Sequence, residues 1–70
     1  MKDEFVRGVS ACVCILLQYW EYANALLLLH ENGITEKELI QNADSDRIET
    51  ITECLTYNEE KKEWEMRESK

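Results

Sequence analysis

Apolar residues recur along residues 5–30 at alternating steps of four and three, which is the seam of a heptad repeat and indicates a helix packed along another helix. A second row repeats every seven residues beside it. Together they cover more than the stripe of about 100° that a surface helix usually buries. The sequence therefore predicts one long helix buried on two or three sides. The first row is Phe5, Val9, Cys12, Leu16, Tyr19, Ala23, Leu26 and His30, and the second is Val6, Val13, Trp20 and Leu27.

The end of this helix and the start of the next carry clear local signals. Asn32-Gly33 is typical of a helix C-terminus, because glycine adopts the left-handed conformation without steric cost. Thr35 and Glu38 have the spacing of a capping box. We therefore expect helices over residues 3–31 and 35–43.

A third helix is expected over residues 46–66, with Ser45 or Asp46 as its cap. Its second half allows two interpretations. As a helix, Tyr57 and Trp64 lie seven residues apart on one side. As a hairpin, 55–57 and 64–66 pair as two aromatic-containing strands. The absence of proline, and of glycine in the turn, favours the helix.

The expected fold class is therefore all-α, with a long N-terminal helix followed by two shorter helices in a helical-bundle dimer. The alternative is a winged-helix-like fold with a C-terminal β-hairpin. Residues 1–70 form a single helical domain in either case, and we expect residues 67–70 to be frayed.

The length of the chain favours self-association. A domain of 70 residues has a marginal core and usually needs disulfides, a metal or a partner chain. Cys12 and Cys14 point to nearly opposite sides of a helix, so they neither bridge nor chelate one ion. We expect a homodimer, or a tight complex with another protein, with reduced cysteines in the cytoplasm. The predicted dimer interface is Phe5, Val9, Cys12, Val13, Leu16, Tyr19, Trp20, Ala23, Leu26 and Leu27.

The charge distribution argues against nucleic-acid and membrane partners. Most of the net charge of −7 lies in residues 31–70, and such acidity repels phosphate backbones and anionic lipid surfaces. The apolar run 9–17 is about half the length of a membrane span, which needs roughly 20 residues. Asp3 and Glu4 near the N-terminus also argue against a secretory signal.

The sequence contains no catalytic constellation. His30 is the only histidine, and Cys12 lies about five turns away from it on the predicted helix. Two glycines cannot form a phosphate-binding loop, and the cysteines lack the spacing of a zinc site. We expect no enzymatic activity, no cofactor and no metal. The candidate partner-binding residues are Tyr22, Tyr57, Glu60, Glu63 and Trp64.

The predicted function is that of a small regulatory protein that acts by binding a protein partner. Two alternatives remain open. Residues 35–57 can form a helix-turn-helix, with the hairpin as a wing, in a DNA-binding transcriptional regulator. The density of carboxylates near Glu60 and Glu63 also suits an acidic inhibitor that imitates DNA.

The stretch FVRGVSACVCILLQYWEY, the length and the acidic Lys/Glu tail resemble the small accessory early proteins of lambdoid bacteriophages and prophages. The resemblance implies a cytoplasmic, all-helical dimer made early in infection. It also implies that the protein binds a host protein and modulates host physiology or the choice between lysis and lysogeny.

Overall fold

The structure, a computed structural model, describes residues 2–67, with the side chain of Lys2 left out. Within them the chain forms four helices and one antiparallel hairpin. The predicted fraying falls mostly on residues 68–70, which lie outside the described part. The elements are α1 (Lys2–Gln18), α2 (Tyr22–Glu31), α3 (Glu36–Asn42), α4 (Ser45–Cys54), β1 (Leu55–Asn58) and β2 (Glu63–Met66).

The expectation of an all-α bundle is wrong at two places, and the first is the long helix. Residues 3–31 form two helices, because α1 ends at Gln18 and α2 begins at Tyr22. An unbroken helix of that length would extend about 43 Å. The break instead allows α2 to pack against α1, and it buries Ala25 and Leu29 completely.

The turn between α1 and α2 is a Schellman motif. The Glu21 N–H donates to the Leu16 carbonyl at 2.8 Å, and the Trp20 N–H donates to the Leu17 carbonyl at 3.1 Å. Trp20 holds the left-handed position of the motif, with φ of 62°, where glycine is usual. The turn that follows α1 therefore has tryptophan at the position where glycine is usual.

The predicted signals around α3 are confirmed. Gly33 has φ of 64°, and the Ile34 N–H donates to the Leu29 carbonyl at 3.1 Å, so α2 ends in the same motif as α1. The Thr35 hydroxyl accepts from the Glu38 N–H at 3.2 Å, and the Glu38 carboxylate accepts from the Thr35 N–H at 3.3 Å. This capping box begins α3.

The second error concerns residues 46–66, where the predicted helix ends at Cys54 and a hairpin follows. Tyr57 and Trp64 are cross-strand partners rather than neighbours on one side of a helix. Lys62 holds the left-handed position of the turn, with φ of 57°, so the turn forms without glycine. The cap of α4 is Asp44 rather than Ser45 or Asp46.

The hairpin is attached to the core through Trp64. Its indole N–H donates to the Ile34 carbonyl at 2.8 Å, and its ring meets Tyr57 edge-on at 5.2 Å. The radius of gyration of 10.9 Å is that of one folded chain, for which about 11 Å is expected. No helix among residues 2–67 is both long and apolar enough to cross a membrane. The core consists of Val6, Val13, Cys14, Leu17, Ala25, Leu29, Ile34, Leu39, Ile51, Leu55 and Trp64.

Candidate functional site

An uncharged stripe runs along the solvent side of α1, and we call it the α1 seam. Its positions recur every three or four residues, so they lie on one face of the helix. Ile15 is 54% exposed and Tyr19 is 75% exposed, whereas Val9 and Leu16 are partly covered. Residues 2–67 bury the neighbouring rows of α1 and leave most of this face exposed. The α1 seam comprises Phe5, Gly8, Val9, Cys12, Ile15, Leu16 and Tyr19.

The structure divides the predicted dimer interface between two helices. Phe5, Val9, Cys12, Leu16 and Tyr19 lie on the α1 seam. Val13 is completely buried inside the chain. Trp20 lies in the turn, and Ala23, Leu26 and Leu27 follow on α2.

Gly8 lies in the middle of the α1 seam, and the contacts among residues 2–67 do not require a glycine there. A β-carbon at this position would meet no atom within 4 Å. A glycine inside a helix costs about 1 kcal/mol relative to alanine. Neither Gly8 nor Ile15 was among the predicted interface residues, although both follow from the spacing of the seam.

Trp20 continues the apolar surface beyond the end of α1. It is 79% exposed and has a left-handed backbone, which costs a residue with a β-carbon about 1–2 kcal/mol. Strained and exposed aromatic residues are typical of binding surfaces. The spacing of apolar residues alone does not reveal this strain.

A second apolar surface lies between α2 and β2, and we call it the α2–β2 groove. It is an open depression of about 290 Å³. Leu27 is 55% exposed, and Glu63 borders the apolar floor. His30 lies at the end of α2 beside it. The residues that line the groove are Ala23, Leu26, Leu27, His30, Glu63 and Trp64.

The five candidate partner-binding residues do not form one site. Glu63 and Trp64 line the α2–β2 groove, and Trp64 is otherwise enclosed in the core. Tyr57 is half-buried, and its pKa is raised by burial and by neighbouring carboxylates. Tyr22 lies beside the end of β2, and Glu60 is exposed in the hairpin turn.

The cysteines differ in exposure. Cys12 is exposed on the α1 seam, Cys14 is buried and Cys54 is half-buried. Burial raises the pKa of the Cys14 thiol, which donates to the Arg47 carbonyl at 3.7 Å. Among residues 2–67 no three His, Cys, Asp or Glu side chains are grouped as metal ligands.

The surface around α4 is acidic. Exposed Asp44, Asp46, Glu49 and Glu53 outnumber the arginines there. Arg47 binds Asp44 at 2.9 Å, Arg7 lies 3.9 Å from the same carboxylate, and Arg67 donates to the Thr52 carbonyl. Carboxylates at this density repel a phosphate backbone.

No family model, curated protein or solved structure matches this chain. The resemblance to phage early proteins therefore stays a prediction.

Proposed function

We propose that the protein is a non-enzymatic binding protein that dimerises through the α1 seam and acts by occupying a surface of another protein. The observation that carries the proposal is the uncharged, exposed stripe along α1. Its spacing matches what a second helix needs for side chains to interdigitate.

The exposed area approaches that of a stable dimer interface. A fully exposed large side chain offers about 200 Å², so Phe5, Ile15, Tyr19 and Trp20 leave about 500 Å² on each chain. Two copies would cover about 1,000 Å² before the partly covered Val9 and Leu16 contribute, and stable interfaces begin at about 1,200 Å² in total. Dimerisation also gives Gly8 a role, because the missing β-carbon allows two helices to approach closely.

The mass in solution tests this proposal. We expect a dimer by light scattering in the presence of a reducing agent. Cys12→Lys places a charge in the middle of the α1 seam and should give a folded monomer, because Cys12 is exposed. Gln18→Lys is the matched control, since Gln18 is exposed on α1 outside the seam, and it should stay dimeric.

A wild-type protein that is monomeric into the high-micromolar range would overturn the proposal. So would a Cys12→Lys variant that remains dimeric with an unchanged circular dichroism spectrum.

The order of elements favours one further candidate, a DNA-binding regulator. α3 and α4 are separated by two residues, and the hairpin follows α4, as in the helix-turn-helix interpretation. The acidic surface around α4 opposes it. The alternative of an acidic inhibitor that imitates DNA has less support. Lys61 and Lys62 directly follow Glu59 and Glu60 in the hairpin turn and reduce its negative charge.

A host-protein partner and a cytoplasmic location belong to the same proposal. Three free cysteines among the described residues suit a reducing compartment. That partner would bind a surface outside the α1 seam, because the second copy of the chain covers the seam.

A further inference from the structure

The positions of the α1 seam are symmetric about Cys12. Residues at equal distances before and after Cys12 lie at equal angles on either side of it, because the helix turns by a constant angle per residue. A second helix that runs in the opposite direction can therefore present the same pattern to the first. The symmetric pairs are Phe5 with Tyr19, Gly8 with Leu16, and Val9 with Ile15.

The sizes of the side chains favour the antiparallel orientation. In an antiparallel pair centred on Cys12, Gly8 lies at the level of Leu16 of the second copy, and Val9 lies at the level of Ile15. In a parallel pair each residue meets its own copy, so two glycines leave a gap at one level and two leucines fill another. Packed helices leave few voids, and small residues fit best beside large ones. The antiparallel pair therefore fills the interface more evenly.

The charges at the ends of α1 favour the same orientation. The first turn of the helix contains Asp3 and Glu4, and the last turn contains no basic residue. A parallel pair would place the two acidic first turns side by side, and it would align the two helix dipoles. An antiparallel pair separates the first turns by about 25 Å and opposes the dipoles, which is the more favourable arrangement.

Trp20 extends the interface at each end of an antiparallel pair. Tyr19 lies at the level of Phe5 of the second copy, so Trp20 lies at the level of the first turn of that copy. Phe5 is 49% exposed and Trp20 is 79% exposed, so each has apolar surface left to cover. A contact between them would offset the cost of the left-handed backbone at Trp20.

We propose that two copies of the protein pack along the α1 seam as antiparallel helices, with the two-fold axis at Cys12. The inference rests on the proposed function, dimerisation through the α1 seam, and adds the orientation of the second copy. Each copy contributes Tyr19 and Trp20 to cover the start of α1 in the other. The two Cys12 side chains meet at the axis.

Cross-linking with a short bismaleimide, which joins two thiols, measures the orientation. The background is Cys12→Ser with Cys54→Ser, in which the remaining Cys14 is buried. Phe5→Cys and Tyr19→Cys are made separately in this background, unfolded together in urea and refolded as an equimolar mixture. We expect cross-linked pairs in the mixture and none in either variant alone. Equivalent residues at these positions lie about 21 Å apart along antiparallel helices.

Controls separate orientation from reactivity and from folding. The background without an added cysteine should give no cross-linked pair. Cys54→Ser alone retains Cys12 and should cross-link, because the two Cys12 side chains meet at the axis. Gly8→Cys and Leu16→Cys repeat the mixing experiment with both aromatic residues of the seam in place. Light scattering confirms that each protein is dimeric before the reagent is added.

The outcomes separate this inference from the proposed dimer. Cross-linking of Phe5→Cys alone, with no increase when Tyr19→Cys is mixed in, would show a parallel pair. That result would overturn the inference and leave dimerisation through the α1 seam intact. A dimer in which Cys12 does not cross-link would use another surface and would overturn both. A monomeric wild-type protein would also overturn both.

Discussion

Trp20 and Gly33 hold equivalent positions in two helix-ending turns of the same type. Both have positive φ, of 62° and 64°, and in both turns the next residue bonds back to the helix. Glycine fits this conformation without cost, whereas tryptophan does not. The turn after α1 therefore contains strain that the turn after α2 avoids.

Trp20→Gly should raise the free energy of unfolding by about 1 kcal/mol, because it relieves the backbone strain and removes a side chain that is 79% exposed. Urea denaturation in the monomeric Cys12→Lys background measures the free energy of unfolding separately from that of dimerisation. Gly33→Ala is the reverse control and should lower the free energy of unfolding by a similar amount. A loss of stability in Trp20→Gly would show that the indole supports the monomer itself.

The cysteines should differ in reactivity. In protein diluted until it is monomeric, iodoacetamide should modify Cys12 first and Cys14 last, because Cys14 is buried and its raised pKa favours the unreactive thiol form. Timed mass spectrometry of digested protein checks this order.

The same shift predicts how stability depends on pH. In the unfolded chain Cys14 ionises at its ordinary pKa, whereas in the folded chain burial raises that pKa. Ionisation therefore stabilises the unfolded state relative to the folded state as pH rises above the ordinary value. The contribution of protonated Cys14 to the free energy of unfolding is complete below the unfolded pKa and decreases as pH rises above it.

Equal rates of alkylation at Cys12 and Cys14 would contradict the burial of Cys14.

At the scale of elements, the two failures of sequence prediction have one physical cause. The helix break at Trp20 and the hairpin turn at Lys62 each need a left-handed residue, and glycine is the signal by which such positions are found. Where glycine is present, at Gly33, the predicted helix end is confirmed. The capping box at Thr35 was also visible, because its signal depends on side-chain chemistry.

Trp64→Phe should lower the free energy of unfolding by about 1–3 kcal/mol, because it leaves the buried Ile34 carbonyl without its donor at 2.8 Å. Thermal denaturation followed by circular dichroism measures this change. Trp20→Phe is the control, and its melting temperature should be close to that of the wild type. If Trp64→Phe melts like the wild type, the hairpin is held by apolar contact alone.

At the scale of the molecule, the sequence indicated which residues of α1 lie on one face but not which face the chain would use. Two apolar rows were present, and only three-dimensional packing decided that Val6 and Val13 enter the core while Phe5 and Tyr19 do not. The α2–β2 groove was not predictable in this way. One of its walls comes from a strand that the sequence assigned to a helix.

The acidity of the whole molecule leads to a test of the DNA-binding alternative. With a net charge of −7 and exposed acids around α4, the protein should not be retained on duplex DNA even at low salt. Retention that weakens as salt increases would favour the helix-turn-helix interpretation. It would also require the exposed acids around α4 to face away from the duplex.

The two tryptophans lie in opposite environments, Trp64 inside the core and Trp20 almost entirely in solvent. The molecule therefore contains two native optical probes. In the monomer, Trp20 should emit at long wavelength and be open to collisional quenching, whereas Trp64 should be protected. A partner chain that covers the end of the α1 seam would change the fluorescence of Trp20, whereas unfolding would change the fluorescence of Trp64.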